Sequence, residues 1–218
     1  MVTTERDSAA APAVAPTTAL FTKDADLDYL RLQVQALQRV LMRNGLVTYG
    51  EVLEEVHRLE EADHRLGAKV VAHAWTDPAF KHRLVQDGKA ACAELGIEIT
   101  GYGFLQVVEN TDTVHHVTVC TTCSCVPSPL HGITPDWYKS TAYRSRVVHE
   151  PRAVLREFGL ELPEHVDVRV VDTTKERRCL VLPKRPPLSD GLSEEELAAL
   201  VTRDSLFGVG QPTGAVGA

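Results

Sequence analysis

Apolar side chains recur at helical intervals in three stretches of the first hundred residues. Residues 25–44 form an amphipathic pattern that ends at Gly45. An acidic run over 52–66 has the same period and stops at Gly67. A third helix is predicted from 76 to 95, because a threonine, an aspartate and a proline in a row are typical of a helix start.

After Gly96 the pattern changes to short β-branched runs separated by turn residues. The runs that predict strands are 104–109, 114–119, 166–171 and 177–182. Because a turn-forming segment at 110–113 joins the first two, we expect one hairpin there and a second hairpin between the last two.

Two more helices are predicted, a short one from Pro151 to Phe158 and a terminal one that a capping box opens at Ser193. The expected fold class is therefore α+β, an N-terminal helical arm followed by an α/β layered domain with a cysteine loop. The expected division is a mobile segment over 1–24, a helical arm over 25–96, a catalytic metal domain over 97–208 and a tail over 209–218.

Composition and charge exclude several function classes. Of the 218 residues, 23 are Lys or Arg and 30 are Asp or Glu, and the formal net charge of −7 provides no field for a phosphate backbone. No stretch approaches about 18 consecutive apolar residues, and the N-terminus lacks the features of a signal peptide. We therefore expect no nucleic-acid or membrane partner and a cytoplasmic location.

Three of the five cysteines lie within six residues, at Cys120, Cys123 and Cys125. This spacing is typical of a metal site, and one interpretation is structural zinc completed by a nearby histidine. The candidate histidines are His115, His116, His131 and His149. A disulfide between Cys123 and Cys125 would close a strained ring, and a thioredoxin-like pair would lack its usual strand and helix context.

The spacing also permits a self-contained site. If an ion is acidic enough to displace backbone amide protons, the nitrogens of Ser124 and Cys125 form five- and six-membered chelates with the sulfurs of Cys123 and Cys125. Cys120 then reaches the ion from one side and the opposite position stays open, which favours Lewis-acid catalysis over a structural role.

Several motifs together resemble the α subunit of nitrile hydratases, over about residues 25–208. They are Val-Cys-Thr-Thr-Cys-Ser-Cys at 119–125, Pro-Asp-Trp-Tyr-Lys-Ser at 135–140, Tyr-Arg-Ser-Arg-Val-Val at 143–148, Glu-Pro-Arg at 150–152, Val-Leu-Pro-Lys-Arg-Pro at 181–186 and Leu-Val-Thr-Arg-Asp-Ser-Leu at 200–206. The resemblance implies hydration of a nitrile to an amide at a cobalt(III) or iron(III) centre. Threonine after the first cysteine, here Thr121, goes with cobalt in this family.

The resemblance also implies the roles of individual residues. Cys120, Cys123, Ser124 and Cys125 would hold the metal, with Cys123 as a sulfinate and Cys125 as a sulfenate. Cys125 and Ser124 would be the catalytic positions, and the sulfenate oxygen would attack the nitrile carbon or activate the water that does so.

Two of the positions that depart from the family pattern are candidate pocket residues. Thr122 replaces the usual leucine and adds a hydroxyl beside the site, and Ser128 stands where the family commonly has a tryptophan or tyrosine. Since a small residue at 128 widens the pocket, a bulky nitrile is the expected substrate.

The implied partners are a β-type subunit, as one chain or two, and an activator protein that loads the metal. Two alternatives stay open, the metal-binding subunit of a thiocyanate hydrolase and a non-catalytic module for zinc binding or metal delivery.

Overall fold

The computed structural model describes residues 24–61 and 63–214, and side chains from 29 to 56 and from 63 to 214. The predicted mobile segment 1–24 lies outside this range except for its last residue, and so do the last four residues of the predicted tail. The chain divides into two compact units, residues 1–53 and 54–218. The four-part division drawn from the sequence stays a prediction.

The first unit contains the helix predicted from the apolar period, α1 at Asp24–Arg43, and the first turn of α2 at Tyr49–Glu61. Thr48 and Glu51 open α2 as a reciprocal cap, in which each side chain accepts the other residue's backbone N–H. Five apolar side chains of α1 are exposed: Leu30, Leu32, Val34, Leu37 and Val40.

Three helices follow, α3 at Arg65–Thr76, α4 at Pro78–Gln86 and α5 at Gly88–Glu94. Gly67 does not end a helix as predicted but lies inside α3, where a Cβ would collide with the carbonyl oxygen of Leu130. The predicted continuous helix over 76–95 is wrong, because Asp87 leaves helical geometry and caps α5 with its side chain. The N-cap of α4 is Asp77, so this helix begins at Pro78 rather than at the predicted position 76.

The four strands are β1 at Phe104–Glu109, β2 at Val114–Val119, β3 at Asp167–Asp172 and β4 at Arg177–Leu182. Their positions match the prediction to within one residue, but both predicted hairpins are wrong. β1 pairs with β4 and β2 pairs with β3, and both pairs are parallel.

The turn between β1 and β2 explains this difference. Thr111 donates its N–H to the carbonyl of Val114, so the predicted turn is present. However, the backbone N–H of His116 donates to the side chain of Asn110, and the backbone N–H of Asn110 donates to the carbonyl of Leu182. The turn therefore carries the chain from one strand pair to the other instead of folding β1 back onto β2.

The connection from β2 to β3 holds the cysteine loop and four short helices, as parallel pairing requires a long crossover. These helices are α6 at Ser128–His131, α7 at Asp136–Lys139, α8 at Thr141–His149 and α9 at Pro151–Glu157. Only α9 was predicted. The capping box at Ser193 and Glu196 is confirmed and opens α10 at Glu194–Leu200, and Thr202 then starts a separate helix, α11 at Arg203–Phe207.

Two buried clusters form the core of the second unit. One packs α3, α4 and α5 against the faces of β1 and β4 that carry Leu105 and Leu180. The other joins β2, α8 and α9 and includes Cys120 and Cys125 together with Tyr138. The α+β class is therefore confirmed. Among the residues that the structure describes, no helix is both long and apolar enough to cross a bilayer.

Candidate metal centre

The cysteine loop begins directly after the last residue of β2. Because β2 and β3 are parallel and Val119 is in register with Asp172, both strands end at the same edge, where ligand sites of parallel sheets commonly form. The loop leaves this edge and turns back so that the sulfurs of Cys120, Cys123 and Cys125 all lie within 4.8 Å of one another. None of them forms a disulfide.

The donor set fits a metal that accepts soft ligands. The Sγ atoms of Cys120 and Cys123 are 3.1 Å apart and those of Cys123 and Cys125 are 2.6 Å apart. Two sulfurs at right angles around one ion, each bound at about 2.3 Å, would be separated by about 3.2 Å. The spacing of Cys120 and Cys123 is thus close to that of adjacent ligands on a single ion.

Cys120 lies at the buried bottom of the cluster, Cys123 is its exposed member, and Cys125 is 7% exposed. Burial disfavours a thiolate at Cys120, but amide hydrogen bonds from Cys125 and Cys123 and a bond from the Cys123 thiol outweigh it and lower the pKa of Cys120. Burial, together with the bond to Cys123 and the Cys120 charge, raises the pKa of Cys125. The inward-facing amide of Cys125 is one of the two nitrogens that the chelate requires.

No carboxylate or basic side chain in the described part of the chain hydrogen-bonds to the three sulfurs. Their partners are one another, loop amides and the hydroxyl of Thr122, whose Oγ1 is 3.8 Å from the sulfur of Cys120. Three thiols that share one small volume cannot all ionise without a cation. The arrangement therefore calls for a positive charge that the described residues do not place within bonding distance.

Residues at the end of β3 hold the loop in place. The backbone N–H and the hydroxyl of Thr121 donate to the two carboxylate oxygens of Asp172, at 3.1 and 2.7 Å. The hydroxyl of Thr173, which is buried, donates to the carbonyl oxygen of Cys125 at 2.7 Å. Both sides of the cluster are thus anchored to the strand that pairs with β2.

Aromatic side chains pack beneath the loop. The hydroxyls of Tyr138 and Thr173 are 3.4 Å apart, and the hydroxyl of Tyr143 donates to the carbonyl of Thr118 at 2.6 Å. Trp137 meets Tyr143 edge to face, with ring centroids 4.9 Å apart. Tyr138 is fully buried and belongs to the second core cluster.

The predicted site residues occupy one short segment. Ser124 is half-buried between Cys123 and Cys125, and its carbonyl accepts a bond of 3.5 Å from the hydroxyl of Thr134. Thr122 is exposed at the tip of the loop, and Ser128 is the half-buried first residue of α6. Their roles as ligands, catalytic positions or pocket residues stay predictions.

The histidines considered as fourth zinc ligands are not gathered at this cluster, since the only metal-binding group among the described residues contains the three cysteines alone. His115 and His131 are buried and bonded to backbone carbonyls of the 206–208 segment. Cys92 and Cys179 lie apart from the cluster, and burial raises the pKa of each thiol to about 12, as expected for inert core cysteines.

Asp172 and Thr173 are the important residues that the sequence did not reveal. They lie about fifty positions beyond the loop, and the hairpin pairing expected for β3 would have placed them elsewhere. Parallel register between β2 and β3 is the signal that would have found them.

Comparison with known proteins agrees with this geometry. The model of the family "Nitrile hydratase, alpha chain" matches residues 28–210. The cobalt-containing nitrile hydratase subunit alpha of Pseudonocardia thermophila is 51% identical over 187 residues, which are 84% of this chain and 91% of that protein. The thiocyanate hydrolase subunit gamma of Thiobacillus thioparus is 42% identical over 204 residues, 86% of this chain and 81% of that one.

A solved structure of the same kind covers nearly the whole chain. A double mutant of the Fe-type nitrile hydratase from Comamonas testosteroni Ni1 superposes with a TM-score of 0.83 at 40% identity, covering 90% of this chain and 97% of that one. With a family model that spans most of the sequence and relatives near 50% identity, the chain belongs to the nitrile hydratase alpha-chain family.

Proposed function

We propose that this chain is the catalytic α subunit of a nitrile hydratase, which adds water to a nitrile and releases the corresponding amide. The observation that carries the proposal is the convergence of the three cysteine sulfurs at the shared edge of β2 and β3. Family membership gives this cluster its chemical context, since several relatives are named as cobalt-containing nitrile hydratase subunits.

Cys120, Cys123 and Cys125 would hold the ion through sulfur, and Ser124 and Cys125 through their backbone nitrogens. When bound, a trivalent ion supplies Lewis acidity that can polarise a nitrile or acidify water. We propose cobalt(III) as this ion, because Thr121 follows the first cysteine and several relatives are named for cobalt, with iron(III) as the alternative that the Fe-type neighbour represents.

The residues of this chain would orient and restrict the reaction. Cys120 closes the buried side of the site, so substrate must approach from the exposed side, where Thr122 and Cys123 lie. Cys125 would act as a sulfenate. Its oxygen would either attack the nitrile carbon, opening one C≡N π bond, with water then releasing the amide and restoring the sulfenate, or take a proton from the attacking water. The bonds of Thr173 and Asp172 would keep that oxygen in position.

We propose the oxidation pattern implied by the family, a sulfinate at Cys123 and a sulfenate at Cys125. Accessibility supports the first of these, since Cys123 is exposed and Cys120 is 0% exposed. Mass spectrometry should find two added oxygens on Cys123, one on Cys125 and none on Cys120. Equal oxidation of all three would indicate unspecific damage.

We also propose that the chain works in the cytoplasm as part of a complex with a β-type subunit, present as one chain or two. The five exposed apolar residues of α1 support a partner, because a group of exposed apolar side chains on one helix is usually covered in the working protein. Cations from that partner would neutralise the oxidised cysteines. An activator protein would load the metal.

A thiocyanate hydrolase is the second candidate, because a relative with that name covers 86% of this chain at 42% identity. An assay of the purified complex with a nitrile and with thiocyanate distinguishes the two. The proposed function predicts amide from the nitrile and little turnover of thiocyanate. Efficient thiocyanate hydrolysis with no amide formed would overturn it.

A further inference from the structure

The C-terminal end of α11 lies against both ends of the cysteine loop. The last carbonyls of any helix have no partner within the helix and must find one elsewhere. Here the carbonyl oxygens of three successive residues, Leu206, Phe207 and Gly208, are each bonded by a side chain from outside α11. The three donors flank the loop on both sides.

Two donors come from β2, the strand that leads into the loop. The hydroxyl of Thr118 donates to the carbonyl of Phe207 at 3.2 Å, and Nε2 of His115 donates to the carbonyl of Gly208 at 2.7 Å. Because Nε2 carries the proton, Nδ1 of His115 accepts from the side-chain amide of Asn110 at 3.2 Å. Thr118 is 1% exposed and lies two positions before Cys120.

The third donor comes from α6, the helix that leads out of the loop. Nε2 of His131 donates to the carbonyl of Leu206 at 3.0 Å, and its ring meets that of Phe207 edge to face at 4.6 Å. His131 is 1% exposed, and its Nδ1 has no hydrogen-bond partner within the described chain. The bond to the carbonyl of Leu206 gives this buried polar ring a partner in α11.

The backbone at Gly208, directly after α11, also lies close to the backbone of β2. Gly208 has a φ of 81°, and a Cβ there would collide with the carbonyl oxygen of His116 in β2. Only glycine allows this approach without strain. The end of α11 is thus set directly against the strand that enters the loop.

We infer that the end of α11 positions the metal loop by fixing its entry through Thr118 and its exit through His131. With both ends fixed, residues 120–127 have little freedom to spread, and the three sulfurs stay converged. Thr118 and His131 are positioning residues, because they act on the site through the loop and contact no sulfur. This inference rests on the proposed function only in taking residues 120–127 as the metal loop.

The test compares matched variants of the purified complex by hydrogen exchange at the loop amides that carry a proton, those of residues 120–123 and 126, and by the rate of metal loss to a chelator. Thr118→Val keeps the shape and strand propensity of the residue and removes its hydroxyl. His131→Leu removes the donor, and His131→Gln restores a side-chain N–H that can reach the same carbonyl. Thr202→Val is the control, since that hydroxyl caps the opposite end of α11 by accepting the N–H of Ser205.

Loss of one buried bond with its acceptor left unpaired shifts an opening equilibrium by about tenfold, so exchange within 120–127 should rise about tenfold in Thr118→Val and His131→Leu. Metal loss should accelerate in the same two variants, and His131→Gln should recover most of the difference. The Thr202→Val control should destabilise the complex while loop exchange stays within about twofold of wild type.

The inference is overturned if loop exchange in Thr118→Val and His131→Leu is no faster than in Thr202→Val, because the bonds would then support only the fold. A complex that contains no metal would contradict the proposed function instead. Loop exchange can still be measured in such a complex, so the two failures are distinguishable.

Discussion

The carboxylate of Asp172 binds Thr121 twice, accepting one hydrogen bond from its backbone N–H and one from its hydroxyl, at 3.1 and 2.7 Å. Thr121 follows Cys120, and Asp172 is the last residue of β3. The residue from which the family resemblance predicts cobalt is therefore also the residue that ties the loop to the neighbouring strand.

Asp172→Ala should lower kcat/KM about tenfold, since it leaves an amide and a hydroxyl of the loop without their charged acceptor. Because the pair is exposed, the loss in unfolding free energy should be small, about 1 kcal/mol or less. Steady-state kinetics and denaturant unfolding of the complex measure the two effects.

Asp167→Ala provides the matched control, because Asp167 begins the same strand and its carboxylate pairs only with exposed Arg169 among the described residues. A double-mutant cycle with Thr121→Val should show strong coupling to Asp172 and none to Asp167. Additive effects at 121 and 172 would show that their contact does not support catalysis.

Alanine at Cys120, Cys123 or Cys125 should abolish both metal retention and turnover, since each removes one sulfur of the cluster. Alanine at Cys92 or Cys179 should preserve both, because these thiols are buried away from the loop. Elemental analysis and an amide-formation assay of the five variants provide the comparison. Full activity in any of the first three would refute the ligand assignment.

Ser128→Trp should selectively harm large substrates. A buried tryptophan side chain covers on the order of 150–250 Å² of surface, which with serine at this position stays open to the substrate. We expect kcat/KM for a fused-ring aromatic nitrile to fall about tenfold or more and that for a small aliphatic nitrile to change little. The Ser128→Ala control should leave both unchanged, and an equal loss for both substrates in Ser128→Trp would mean that residue 128 does not border the pocket.

Stability should fall in acid partly because of His131. Burial, opposed by hydrogen bonds and reinforced by the nearby charges of Arg203 and His64, lowers the pKa of His131 to about 4, from an ordinary value of 6.5. The unfolded chain therefore takes up the proton first, and stability is lost as the pH falls from 6.5 to about 4.

Between about pH 7 and pH 5, the protonation of His131 in the unfolded chain lowers the free energy of unfolding by about 2 kcal/mol. Unfolding of wild type and His131→Leu at both pH values isolates it, since every other titrating group is common to the two proteins. The variant should lose about 2 kcal/mol less on acidification. Equal losses would show that His131 is not buried in its neutral form.

The sequence predicted local features well and long-range ones poorly. The strands at 104–109 and 177–182 were found from β-branched runs alone, and the capping box at Ser193 marked its helix correctly. The pairing failed because turn residues at 110–113 bend the chain in the same way whether the next strand pairs with the last or joins another sheet.

The candidate site likewise has a part that could be predicted from the sequence and a part that could not. The three cysteines were predicted from their spacing, because all three lie on one short segment. Asp172 reaches Thr121 of the loop across 51 positions, and His131 beside the loop reaches the carbonyl of Leu206 across 75. No local pattern encodes contacts of that separation. Gly67 was misread because a glycine that permits close packing and one that ends a helix look alike in sequence.

Metal analysis of the purified complex, combined with its visible spectrum, tests the central claim most directly. When the complex is expressed with both cobalt and iron available, it should contain about one cobalt for each copy of this chain, because the three cysteines form one cluster. It should also absorb visible light, as thiolate-ligated cobalt(III) does. One iron per chain would retain the catalytic account but contradict the metal predicted from Thr121. Zinc with no visible absorption would contradict the catalytic account itself.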